Sequence, residues 1–242
     1  MENFFFNYYF FKEVVNTNDK IRTINLNENP KKFNLALYSV EQSEGRGRGS
    51  NVWKSSKGDF TSSFLLNRRF NTKELGQINL SIVFIILKTF KSLYKNVDFK
   101  FKWPNDIFVN KMKIAGILIE TNIIKNNILY IIIGIGINFI SAPKLNKSKT
   151  ISISKFSSSI DPLGFFFKIS DEIVKVFSEF NKIDFKEMSL NVSNSIFSSN
   201  GIVKIKQNKN IFSGHFVKID ELGSIIIKDF DGEKKLTYGE ML

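Results

Sequence analysis

Apolar and polar positions follow two periods along the chain. Residues 97–103 alternate, with Val97, Phe99, Phe101 and Trp103 set against Asp98, Lys100 and Lys102. That period of two predicts a half-buried strand. Leu75, Ile78, Ile82, Ile85, Phe90 and Leu93 recur at helical intervals and predict a core helix. Asn71 precedes it with Glu74 three residues on, the spacing of a capping box. A second long helix starts at Asp161-Pro162, with aspartate as cap and proline in the first turn. Leu163, Phe166, Phe167, Ile173, Val174, Phe177 and Phe180 are its expected apolar face.

Apolar runs at 4–15, 33–40, 60–66 and 128–138 read as strands. Segments 107–109 and 113–120 read as a hairpin about Asn110-Lys111, so 97–138 is expected to be an antiparallel meander. Asn16-Thr17-Asn18-Asp19 offers caps for a short helix over about 19–24, followed by a polar turn around Pro30. Residues 189–200 are polar and serine-rich, a candidate boundary. Short strands at 202–206, 211–219, 224–228 and 234–238 then predict a small β-barrel. The expected fold is α/β (α+β): a mixed, largely antiparallel sheet with helices covering one face, over 1–195, plus a C-terminal barrel over 196–242.

The chain has 242 residues, 43% of them hydrophobic, enough for one sizeable core and a small second domain. Cysteine is absent, so there is no disulfide, thiolate metal site or cysteine nucleophile, in keeping with a reducing cytoplasm. The single histidine, His215, excludes any site needing two. Net charge is +12, but the lysines are scattered and accompany many Ile, Asn and Phe residues, a mixture that AT-rich codons suffice to explain. The N-terminal residues 1–13 lack a basic segment and a small-residue cleavage site. The longest apolar run, 128–140, is shorter than the roughly 20 residues that span a bilayer. No membrane association is expected.

The chemistry gathers in four stretches. Glu44-Gly45-Arg46-Gly47-Arg48-Gly49-Ser50 places guanidinium forks on pliable backbone, a pattern suited to an anion-binding loop but also to a flexible linker. Lys102-Trp103-Pro104-Asn105-Asp106 sets polar groups at a strand end, where sites are built and where ordinary turns also occur. Lys113 opens an otherwise apolar strand, as a ligand group or as an edge lysine. Gly134 and Gly136 lie two apart on one strand face, which implies close approach of a ligand or another backbone, or else a bulge or tight packing against a helix.

Taken together, GRGR followed by Trp53, then KWPNDI, KIAGILIE and GIGIN, resemble the biotin protein ligase family. Glu13-Val14-Val15-Asn16-Thr17-Asn18 resembles that family's Glu-Val-Asp-Ser-Thr-Asn, and the run from Gly201 resembles its SH3-like domain. The resemblance implies a class II synthetase-like catalytic domain that makes biotinyl-5′-AMP from biotin and MgATP. It then biotinylates a lysine of the biotin carboxyl carrier protein of a carboxylase. It also implies a cytoplasmic monomer or weak homodimer. Because the chain starts at the catalytic part, no DNA binding is expected.

Carried over by the resemblance, Asn16, Thr17, Asn18 and Gln42 line the biotin pocket. Arg46 and Arg48, with Gly45 and Gly47, close over biotin and the adenylate phosphate. Lys113 contacts the biotin carboxylate, and Gly116, Gly134 and Gly136 make room for ligand. Trp53, Lys102, Trp103, Asn105 and Asn138 serve the nucleotide, and Asp106 orients the phosphates and Mg²⁺. Arg46, Arg48, Lys113 and Asp106 are the implied catalytic groups. Asn16 stands where the family has serine, and Gly49 lies one place from the family's later glycine. A lipoate ligase or octanoyl transferase of the same superfamily is the nearest alternative. An RNA-binding module and a non-catalytic biotin binder are others.

Overall fold

The computed structural model describes residues 4–144, 149–159 and 161–242; the head of the N-terminal stretch, 1–3, lies outside the described residues. In chain order the elements are β1 (Phe6–Val14), α1 (Thr17–Asn27), β2 (Asn34–Gln42), β3 (Gly45–Arg46), β4 (Val52–Trp53), β5 (Phe60–Leu66), β6 (Phe70–Asn71), α2 (Leu75–Leu93), β7 (Lys100–Lys102), β8 (Asp106–Val109), β9 (Met112–Ile124) and β10 (Asn127–Ile137). Then follow α3 (Pro162–Ser178), α4 (Phe185–Ser193), β11 (Ile202–Gln207), β12 (Asn210–Ile219), β13 (Ile225–Asp229), β14 (Gly232–Leu236) and β15 (Glu240–Met241). Two compact units result, each built from two segments: Met1–Thr72 with Val109–Phe180, and Lys73–Phe108 with Asn181–Leu242.

The first unit is a mixed sheet. β1 and β2 are parallel, joined through α1, as parallel neighbours need a crossover. β2–β5, β5–β10 and β10–β9 are antiparallel. The aromatic run of β1 splits by alternation. Tyr9 and Phe11 pack on Ile21, Ile24, Leu35, Leu37, Leu65 and Ile132, the core under α1. Tyr8 and Phe10 turn the other way, to Phe166 and Phe167 of α3. Helices therefore cover both faces of this sheet, not one, because β1 is apolar at consecutive positions. On the α3 face, Phe166 stacks on Phe64 at 5.5 Å and Phe165 meets Phe60 edge-on at 5.3 Å. The helix buries Phe165, Phe166, Ile169, Ile173 and Phe177, while Leu163 and Phe167 stay largely exposed. The buried stripe is thus turned by about one residue from the one expected. Asp161 caps α3, its Oδ1 accepting from Gly164 N at 2.8 Å.

In the second unit, α2 spans the predicted residues but starts differently. Asn71 belongs to β6, a 3₁₀ turn at Thr72–Glu74 leads in, and Glu74 makes no side-chain cap bond. By length and composition the segment Thr72–Leu93 could cross a membrane, yet more than half of it is buried in the protein. It acts as a core helix, with Ile78, Ile82, Val83, Ile85, Ile86 and Phe90 fully enclosed. Each such side chain contributes about 1.5–3 kcal/mol. Phe90 stacks on Phe99 at 4.5 Å. The expected strand at 97–103 is paired only over β7, against β8. The serine-rich stretch from Ser189 is helical as far as Ser193. Asp184 caps α4 through Lys186 N and Glu187 N, and Met188 and Val192 are buried. Beyond it lies a five-stranded antiparallel sheet in the order β14-β13-β12-β11-β15.

Gly76 in α2 lies against the β12–β13 turn. A Cβ there would stand 1.8 Å from the Leu222 carbonyl oxygen. That neighbour is backbone and cannot swing aside, so Gly76→Ala should destabilise the protein by at least about 2 kcal/mol. A lowered urea midpoint at unchanged m value checks this.

Candidate active site

β2 ends at Gln42, whose Oε1 accepts from Thr17 N at 2.8 Å and Thr17 Oγ1 at 3.0 Å. The glutamine thus reaches the first turn of α1. Asn16 is the cap of that helix, with Oδ1 accepting from Asn18 N at 2.9 Å and Asp19 N at 3.2 Å. Its Nδ2 donates to the Glu44 carbonyl at 2.9 Å. α1 therefore starts two residues earlier than predicted, and Asn16 ties it to the start of the glycine–arginine stretch. A serine would cap equally well but lacks the second polar group that makes this tie.

The glycine–arginine stretch is a small hairpin. Gly45 pairs with Trp53 and Arg46 with Val52. Gly47 N donates to Asn51 O at 2.8 Å, and the Arg48 carbonyl accepts from Asn51 N and Nδ2. Gly49 sits in the tight turn at φ +61° with open space where a Cβ would be. Its shifted position supplies the left-handed residue of this turn. A Cβ on Gly45 would stand 2.4 Å from the Trp53 carbonyl oxygen, so this glycine allows the hairpin to close.

The hairpin lands on the α1 face of the sheet. There Gly116 of β9 pairs with Gly136 of β10, leaving a patch of bare backbone. The Trp53 indole lies on it: a Cβ at Gly136 would be 2.3 Å from Cε2, and one at Gly116 would be 3.1 Å from Cζ3. Trp53 Nε1 is buried there without a hydrogen-bond partner. Lys113 Nζ stands 5.6 Å from the Trp53 ring centre, within cation–π reach. Lys113 is no edge residue. Its N–H donates to Lys149 O and its carbonyl accepts from Ile151 N. The space over Gly134 is taken by Asn18, whose Oδ1 would lie 2.6 Å from an added Cβ, so this glycine admits a protein amide. Asn138 is buried, and its Nδ2 donates to Lys113 O and Ile151 O, bracing the strand end that carries Lys113.

Three charged residues that sequence reasoning left out join the site. Arg46 binds both oxygens of Asp19, with Nη2 at 2.8 Å from Oδ1 and Nη1 on Oδ2, and reaches Glu120 Oε1 at 3.2 Å. Arg22 bridges the same acids, at 2.6 Å to Asp19 Oδ1 and 2.8 Å to Glu120 Oε2. Asn18 Nδ2 donates to Glu120 Oε2 at 2.9 Å and its Oδ1 accepts from Ser63 Oγ at 2.6 Å. The only hint in the sequence was the three-residue spacing of Asp19 and Arg22 on a helix. The hydrogen bond from Arg46 is the main cause that holds Asp19 below its ordinary carboxylate range, and burial opposes it. The same bond to Asp19 raises Arg46.

The remaining candidates belong to the second unit. Lys102, Asn105 and Asp106 are half-buried on the β7–β8 turn, and Lys102 Nζ is 5.2 Å from the Phe108 ring centre. Asn79 Nδ2 holds the turn by donating to Pro104 O at 2.9 Å. Trp103, expected on the nucleotide, is buried with its Nε1 donating to Gly223 O at 3.0 Å. Its indole N–H is therefore engaged within the unit, and the Trp103–Pro104 peptide is cis. Among the described residues no three His, Cys, Asp or Glu side chains gather as a metal site.

A mixed sheet with helices on its faces, carrying lysine, tryptophan and an arginine hairpin at a bare glycine pair, matches the catalytic fold of a solved biotin protein ligase. The sequence model of the Biotin/lipoate A/B protein ligase family matches residues 12–138, and the chain belongs to this family. The fold is similar to that of the biotin protein ligase of Aquifex aeolicus, solved in complex with biotin and ATP. The TM-score is 0.80 at 26% identity, over 98% of this chain and 97% of that one. The bifunctional ligase/repressor BirA of Bacillus spizizenii is 25% identical over 232 residues, 93% of this chain and 71% of its own. The human biotin–protein ligase is 30% identical over 151 residues, 60% of this chain but only 20% of its own length.

Two outcomes follow from the hydrogen bonds. Asn16→Ala removes the cap of α1 and should cost about 1–2 kcal/mol, with Asn16→Ser retaining most of the stability; urea denaturation checks this. Because the Asp19 carboxyl is held low, its stabilising contribution is complete above its unfolded value and lost as pH falls through the folded one. The stability gap between the native protein and Asp19→Asn should therefore be constant near neutrality and shrink only below about pH 4.

Proposed function

We propose that this protein activates biotin with ATP as biotinyl-5′-AMP, releasing pyrophosphate, and passes the biotinyl group to one lysine of a biotin carboxyl carrier protein, releasing AMP. The observation that carries the reading is the convergence of Lys113, Trp53 and the Arg46 hairpin on the paired glycines Gly116 and Gly136. It is supported by likeness to the Aquifex aeolicus enzyme along nearly the whole chain. We take residues 1–195 as the catalytic part and 196–242 as the C-terminal domain, and the cytoplasm as the site of action.

A biotin carboxylate is ionised near neutral pH, so the first step needs no general base. The obstacle is the approach of one anion to a polyanion. Lys113, Arg46 and Arg48 supply cations for the carboxylate and the phosphate at which it reacts. The Trp53 ring, lying on the glycine pair, offers a flat apolar face, while Asn16, Thr17 and Gln42 mark the biotin side. Lys102, Asn105 and Asp106 are assigned to the phosphates. Magnesium bound with ATP would offset phosphate charge. A single carboxylate, Asp106, fits an ion shared with phosphates, because magnesium commonly takes one or two carboxylates and completes its shell with phosphate and water. In transfer, Lys113 stays beside the acyl carbonyl while the carrier amine attacks and AMP leaves. Asn138 keeps the Lys113 main chain in place.

Lipoate is the competing substrate, since the family includes lipoate ligases. Biotin and lipoate offered separately with MgATP should give pyrophosphate release and carrier labelling with biotin; release with lipoate alone would reverse the assignment. Lys113→Ala should lower adenylation by about 10²–10³-fold with little loss of stability. Near-normal labelling would remove Lys113 from the chemistry. Arg46→Ser should release biotinyl-AMP early and label bystander lysines, read by mass spectrometry of a mixed-protein reaction.

A further inference from the structure

Lys113 is held through its main chain, and the segment that holds it is itself held by a buried carboxylate. We propose that Asp59 is a positioning residue for the adenylation step: it fixes the chain that follows β10 and, through Asn138 and Ile151, the place of Lys113. That Lys113 takes part in the chemistry rests on the proposed function. That Asp59 fixes it rests on geometry alone.

Asp59 immediately precedes β5 and is only 1% exposed. Its carboxylate is shared between two segments. Oδ1 accepts from Ile140 N and Ser141 N, both at 2.9 Å. Oδ2 accepts from Ser56 N at 2.9 Å and from Ser141 Oγ. The Asp59 N–H donates back to Ser56 O at 3.0 Å, which closes the turn before β5. Ile140 lies against Gly58 of that turn, where an added Cβ would stand 2.5 Å from Ile140 Cδ1. None of the four groups bound to the carboxylate carries a charge. Burying a carboxylate without a cation is costly unless its acceptor sites are filled. Here four donors fill them, and a bond to an ionised acceptor is about twice as strong as a neutral one. Asparagine cannot replace it, because it has one acceptor arm and its amide would set N–H against N–H at the other.

The clamped residues lead straight to Lys113. Two residues before Ile140, Asn138 N donates to Ile114 O at 2.9 Å, and Asn138 Nδ2 donates to Lys113 O and Ile151 O. Asn138 O accepts from Ile153 N at 2.9 Å, and Phe139 O accepts from Ser154 N at 2.9 Å. Ile151 N in turn donates to Lys113 O at 3.0 Å. The Lys113 carbonyl is therefore gripped by Asn138 and by Ile151, both tied to the segment that Asp59 clamps. Asp59 itself is rooted in β5, a strand buried along its whole length between β2 and β10. The core strand is the fixed partner in the clamp, and the 138–141 segment is the held one. A reacting side chain has to be held to about 0.5 Å, and its supports decide whether it is.

The test is a double-mutant cycle on the full chain. Asp59→Asn should lower kcat for pyrophosphate release with biotin and MgATP by about 10- to 100-fold, with the KM for ATP changed by no more than about twofold. In the Lys113→Ala background the same substitution should change the rate by less than about twofold, because the residue it positions is gone. A raised KM at native kcat, or equal losses in both backgrounds, overturns the proposal. Amide hydrogen exchange read by NMR is a second measure that needs no activity. In Asp59→Asn the amides of Lys113 and Ile151 should exchange about tenfold faster or more, while those of Ile169 and Ile173 in α3 keep the native rate. Native exchange at Lys113 and Ile151 overturns the proposal as well. Melting curves show whether Asp59→Asn folds. If it does not, Ser141→Ala removes one of the four donors and decides by the same cycle and the same amides, with an expected loss of about threefold. If the native protein releases no pyrophosphate with biotin but exchange shifts as stated, the proposed function fails and the clamp on Lys113 stands.

Discussion

Everything at the site depends on the absence of two side chains, where Gly116 faces Gly136 across neighbouring strands. Bare backbone lets the Trp53 indole lie against the sheet, and the indole fixes where β4 lands. Through β4 it fixes β3 and therefore Arg46. A single methyl group on Gly136 would overlap the ring, lift the hairpin and carry the guanidinium away from Asp19 and Glu120. The glycines weaken the sheet where they stand. The long β10 tolerates this because its other residues, Ile131, Ile132, Ile133, Ile135 and Ile137, are enclosed in the core.

The sheet face is also sorted by chemistry. Toward one end of the α1 face lie Ile21, Ile24, Leu65 and Ile132, a dry core. Toward the other lie Ser63, Asn18, Glu120 and Arg22, linked by hydrogen bonds. Helix α1 serves both with one amphipathic turn pattern. Burial of its isoleucines holds the helix down, and its capped first turn presents Asp19 to the hairpin. This polar cluster is therefore an extension of the core.

Long periodic elements were legible in the sequence. α2 at Leu75–Leu93, β5 at Phe60–Leu66 and the Asp161-Pro162 start of α3 lie where periodicity and capping chemistry put them. The hairpin β3–β4 was not, because two-residue strands carry no alternation. α4 was hidden by serines whose side chains are satisfied locally, as with Ser189 Oγ on Lys186 O. Motifs marked Lys113, Gly116, Gly136 and Arg46, but not what fills the space between them. Gly134 illustrates the gap: the spacing announced close approach but not that the Asn18 side chain stands there. Asp19 and Arg22 share α1, but Glu120 comes from β9 and meets them only in three dimensions, so no spacing rule joins the three.

The second unit draws on 73–108 and 181–242, with 72 residues (109–180) of the first unit between them. A ribosome adds roughly 5–20 residues per second. Apolar α2 therefore emerges several seconds, on the order of 4–14 s, before α4 and the C-terminal sheet that complete its unit exist. During that interval a helix apolar enough to cross a membrane has only part of its covering. The order of its segments alone makes completion of this unit wait on the closure of a long chain loop.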